Sequence, residues 1–161
     1  MYFYKEGVYK VQNEKLNYEH KKSKTLDDLC SENNIKPEVI KIDVHGAERK
    51  VFKGGEKILK EKTKIILLEL HSDEYIKKFS DGGSRKSVIE NLNSLGFNCY
   101  LVSSFRETDK KQLENKDLEK FKIKKIDDHN YENLFYNRSN LDELIIALKE
   151  DIDLENLGCA I

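Results

Sequence analysis

Two short apolar runs set the terms for this chain. Val39-Ile40-Lys41-Ile42-Asp43-Val44 and Lys64-Ile65-Ile66-Leu67-Leu68-Glu69-Leu70-His71 are too short for typical helices and are nearly continuous in apolar character. Gly46 breaks the first run, and Ala47 to Lys60 then places Val51, Ile58 and Leu59 on one helical face. Strand, helix and strand in that order predict a parallel pair joined by a right-handed crossover. Strands apolar on both faces predict helices on both sides of the sheet.

The rest of the chain is read onto that unit. Thr25-Leu26-Asp27-Asp28 fits a capping box, opening a short helix to about Glu32 that Asn33, Asn34 and Pro37 stop. Ser84 caps a helix with a stripe of Val88, Ile89, Leu92 and Leu95, and Gly96 suits its C′ position. Phe97 to Ser103 reads as a third strand, residues 105–130 as a charged loop or excursion, and Asn133 to Tyr136 as a last short strand. Asn140, with Glu143 three residues on, is expected to cap a final helix carrying Leu141, Leu144, Ile145 and Leu148. At the other end, residues 2–11 suit a strand or hairpin, and residues 12–24 a loop. The expectation is one α/β domain over 1–161, its sheet mostly parallel with flanking helices.

Composition narrows the partners. With Lys+Arg 29 against Asp+Glu 30, the formal net charge is −1, which gives no reason to expect nucleic acid as the main partner. The longest apolar run, Ile65 to Leu68, is far short of a membrane span, and Met1-Tyr2-Phe3-Tyr4-Lys5-Glu6 is not a signal peptide. Cys30, Cys99 and Cys159 form no CxxC pair, so reduced thiols in a cytoplasmic protein are expected.

Ligands of open α/β sheets bind beyond the carboxyl ends of the strands. Asp43 and His45 end the first strand, and Glu69 and His71 end the second. As parallel neighbours, these strands would bring two carboxylates and two imidazoles to one edge. Lys41 stands on the first strand, Gly46 lets the backbone turn there, and Glu48 starts the next helix. The plainer roles are helix capping for Asp43 and Glu48, and surface positions at strand ends for His45 and His71. Asp43, Glu69 and His71 offer donor types for a metal-dependent hydrolase. No HxH or HExxH spacing is present, however, and no metal is assigned.

Lys41-Ile42-Asp43-Val44-His45-Gly46-Ala47-Glu48 resembles the KIDVEGAE signature of FkbM methyltransferases. Phe52-Lys53-Gly54-Gly55 is similar to the L-K-G-A that follows it, and Thr25-Leu26-Asp27-Asp28-Leu29 to the TLDDL upstream. Leu68-Glu69-Leu70-His71, Gly96-Phe97 and Asn133-Leu134-Phe135 resemble later family segments, so the likeness spans about residues 20–136. The resemblance implies a Rossmann-like fold and methyl transfer from S-adenosylmethionine to an oxygen of a sugar or natural-product acceptor. It implies Asp43 beside the reacting centre, where a carboxylate orients the acceptor hydroxyl or takes its proton. Asp43, His45 and Glu69 are the catalytic candidates, with Lys41, Gly46, Glu48 and His71 adjacent to substrate or cofactor. The sequence departs from the family in two ways. His45 replaces the signature Glu, and an imidazole does not reproduce a permanent negative charge. Only Gly7 precedes Gly46, with no GxGxxG, so the glycine-rich turn for the cofactor is missing and a truncated domain is expected. The edge of the Val39–Val44 strand would then be covered by residues 2–11 folding back on it, the favoured expectation for the chain alone, by a second copy, or by an N-terminal partner polypeptide. The alternative is a pseudoenzyme or non-catalytic binding module on the same scaffold.

Overall fold

Val39 to Leu70 folds as its hydrophobic pattern dictates. In the computed structural model, which describes residues 23–103, 122–135 and 142–152, β1 (Val39–Ile42) and β2 (Ile65–Leu70) pair in parallel, with Val39 opposite Ile65 and Ile42 opposite Leu68. The expectations for residues 2–11, for most of the charged excursion and for the Asn140 cap lie outside the described residues.

Before β1 stands α1 (Leu26–Glu32), capped by Thr25, whose hydroxyl accepts from the Asp28 N–H at 3.0 Å. The single crossover helix expected between β1 and β2 is two helices, α2 (Glu48–Gly54) and α3 (Glu56–Glu61). They divide at Gly55, where α1 comes so close that a Cβ would meet Leu26 Cδ2 at 2.7 Å. Asp27 of α1 receives the Lys57 and Ile58 N–H groups at 3.2 and 2.9 Å, satisfying the start of α3 from a neighbouring helix. After β2 come α4 (Asp73–Phe79) and α5 (Arg85–Ser94). Of these, α4 is a short polar helix behind Ser72 that no apolar stripe marks in the sequence. Ser84 and Ser87 make the reciprocal bonds of a capping box on α5, and Gly96 (φ 81°) takes the left-handed position after it.

Beyond β3 (Phe97–Ser103) the chain departs from expectation. Lys122–Lys125, inside the stretch read as a loop, is a strand, β4, antiparallel to β3. Asn133 to Phe135, expected as a strand, belongs to a short helix, α6 (Tyr131–Phe135). Its entry is set by Asp127, whose carboxylate takes the His129 and Asn130 N–H groups, both at 2.9 Å. The expected final helix is instead β5 (Glu143–Lys149), lying between β2 and β3 and antiparallel to both. Leu144-Ile145-Ile146-Ala147-Leu148 satisfies a helical stripe, but a strand with neighbours on both sides needs just such an unbroken apolar run.

The described sheet has the order β1-β2-β5-β3-β4, and only β1 and β2 are parallel neighbours. The mostly parallel sheet is therefore corrected to a mostly antiparallel one. Cover on both faces is also corrected for β1, whose burial alternates: Ile40 and Ile42 are buried, while Lys41 is exposed and Val39 is 56% exposed. The buried face gathers Ile42, Ile66, Leu68, Leu70, Leu101 and Ile145 with Val51, Phe52, Leu59 and Leu92 of the helices. Each such side chain contributes about 1.5–3 kcal/mol through removal from water. Cys30 and Cys99 are packed thiols as expected, and burial pushes Cys99 up to about 12. No helix among the described residues is long and apolar enough to cross a membrane.

Candidate functional site

The parallel pairing of β1 and β2 brings their carboxyl ends together, and the residues just beyond them converge. His71 is 2% exposed, with its ring among Glu48, Asp43 and His45. Its Nδ1 lies 2.8 Å from Glu48 Oε1, which also accepts the Gly46 N–H at 3.0 Å. A carboxylate can only accept, so Nδ1 carries a hydrogen, and in the neutral ring Nε2 presents a lone pair. That Nε2 is buried without a hydrogen-bond partner among the described residues, 3.9 Å from Asp43 Oδ1. The His45 ring packs edge-on against it, centroids 4.7 Å apart.

Local backbone geometry builds this arrangement. His45 and Gly46 both have positive φ, 48° and 94°. For His45 that is an unfavourable left-handed conformation, costing about 1–2 kcal/mol. It reverses the chain directly after the strand. A Cβ at Gly46 would meet the Tyr75 carbonyl oxygen at 2.4 Å, so α4 closes tightly on the turn. The Ser80 hydroxyl donates to the Gly46 carbonyl at 2.5 Å. Arg85, itself 1% exposed, donates through Nε to the His71 carbonyl at 2.9 Å and fixes that strand end from behind.

The structure places the remaining sequence candidates as follows. Lys41 is an exposed partner of Asp43 at 3.3 Å, and Asp43 is accessible at the rim. Glu69 is half-buried on β2. Neither carboxylate caps α2, whose N-cap is Ala47; Glu48 is fully buried and turned toward His71. The surface reading of His71 is corrected: its side chain is buried, with Glu48 on one nitrogen and the rings of His45 and of Tyr75 from α4 beside it. Donor atoms within 4.8 Å of one another fall into two groups, Asp43/His45/His71 and Glu69/His71/Asp142. Asp43 and Glu69 thus fall in different groups, which share His71. Asp142 was not legible as a site residue, because only the insertion of β5 beside β2 brings it there. Arg85 and Ser80 were not legible either, having no motif around them.

The carboxylates and imidazoles can hold a hydroxyl, accept its proton or coordinate a cation. The turn after β1 has one glycine, and that glycine is filled by the chain's own α4.

A family model described as the methyltransferase FkbM domain matches residues 5–132. No curated protein and no solved structure gives a significant match.

Proposed function

The chain belongs to the FkbM methyltransferase family, and from that membership we propose that it transfers a methyl group from S-adenosylmethionine to an oxygen of a sugar or natural-product acceptor. The observation that carries this reading is the convergence of Asp43, His45 and His71 beyond the carboxyl ends of adjacent parallel strands. Ligands of open α/β sheets bind at such an edge. A Rossmann-like reading has further support: β1, β2 and β3 all run in one direction, since β5 is antiparallel to both β2 and β3.

In this reading the described residues form the acceptor side. Asp43, accessible at the rim, orients the acceptor hydroxyl and takes its proton. Glu48, Gly46 and Arg85 fix His71 so that its lone pair faces the same place. S-adenosylmethionine supplies the methyl group when bound. The turn after β1, whose single glycine is closed by α4, offers it no cradle, so no step is assigned to contacts with it. A partner polypeptide or a second copy pairing with the β1 edge would supply the cradle. That edge has no further strand among the described residues.

Methyl-labelled S-adenosylmethionine at millimolar concentration, offered with saccharides and hydroxylated small molecules, tests the reading. Label in an acceptor at this concentration, chosen to load a weak cofactor site, is the expected result. No transfer to any acceptor, even at saturating protein, would favour a binding module on the same scaffold. The single glycine after β1 is the observation on that side.

A further inference from the structure

The geometry points to a divalent transition-metal site formed by Asp43, His45 and His71. One ligand atom from each lies within 4.8 Å of the others. In a tetrahedral site with metal–nitrogen bonds near 2 Å, donors stand about 3.4 Å apart. The three donors therefore close on an ion through small side-chain rotations, which Asp43 and His45 can make because both are exposed.

His71 distinguishes this cluster from an ordinary group of surface charges. Its Nε2 is buried, has no hydrogen-bond partner among the described residues and faces Asp43 at 3.9 Å. A buried acceptor with nothing to accept is destabilising. A metal ion would take up that lone pair. The far nitrogen is held by Glu48 at 2.8 Å, and a carboxylate behind a ligand histidine fixes its tautomer and raises its basicity. Glu48 is in turn held by the Gly46 N–H, and the His71 backbone by Arg85. The left-handed backbone at His45 turns its imidazole onto the His71 ring.

Two imidazoles and one carboxylate suit zinc, iron(II), cobalt(II) or nickel(II), whereas magnesium and calcium prefer all-oxygen sites. Three protein donors leave a position open for water or a hydroxyl. An acceptor hydroxyl bound there would ionise more readily. That last role rests on the methyl-transfer reading, while binding of the ion does not.

Zinc titrated into the chelator-stripped protein, against a chromophoric competitor, tests the site directly. One ion per chain at micromolar affinity or tighter is expected, with at least tenfold weakening in each of Asp43→Asn and His45→Ala. Both residues are exposed, so their replacement should leave folding intact, which circular dichroism checks. Cobalt(II) reports the donor types, and absorption without a thiolate charge-transfer band is expected. No zinc binding below millimolar concentration would overturn the assignment. So would unchanged affinity in both variants, a thiolate band, or loss of binding in Asp142→Asn but not in Asp43→Asn. Methyl transfer is not part of this readout, so a failed titration leaves the methyltransferase reading standing.

Discussion

Asp43 and His45 lie two positions apart on one turn, yet their replacement should act in opposite directions. Asp43→Asn keeps the shape and removes the charge that holds the acceptor proton, so methyl transfer should fall by about 10²–10⁴. His45→Glu restores the family residue and should preserve or raise the rate. Equal rates for wild type and Asp43→Asn would remove Asp43 from the mechanism. Gly46→Ala tests the turn itself. A methyl group would press on the Tyr75 carbonyl at 2.4 Å while the backbone keeps φ at 94°. A loss of about 2 kcal/mol or more in urea unfolding is expected, and wild-type stability would show that α4 gives way easily. At this scale the site was partly legible. Asp43, His45, Gly46 and Glu48 stand in one contiguous signature, and the end of an apolar run places them at a strand's edge. The burial of His71 was not legible, because it arises from Glu48, the His45 turn and Tyr75 of α4 gathering over a strand end that the sequence alone leaves open.

Among the elements, β5 shows where periodicity stops being decisive. Leu144, Ile145 and Leu148 fit a helical stripe as well as a strand, and tertiary pairing decides between them. Ile145, opposite both Leu68 and Leu101, is fully buried at the middle of the sheet. Ile145→Ala should therefore cost about 2–5 kcal/mol in chemical denaturation. A helix on the sheet's surface would predict no such coupling to β2 and β3, and a cost under about 0.5 kcal/mol would argue against the central position. By contrast, α1, α5 and β1 to β3 were legible because their caps, breakers and apolar runs agree. The split of α2 from α3 was not, since it depends on the close approach of Leu26 to Gly55.

At the level of the whole molecule, the family match covers residues 5–132. The chain alone should bind S-adenosylmethionine weakly or not at all in calorimetry. A dissociation constant in the low micromolar range, about −8 kcal/mol, would mean that a cradle exists outside the turn after β1. The position of β5 also governs how the molecule comes to be made. It is the last described strand in the sequence but lies third in the sheet, joining β1-β2 to β3-β4. During synthesis the chain emerges from its N-terminus, so β2 and β3 must wait, each with an open flank, for residues 143–149 to arrive. Such distant pairing raises contact order and slows folding. While it waits, the facing backbone edges of β2 and β3 stay open to whatever else can add a strand, so a keystone delivered last leaves the half-made sheet open to mispairing.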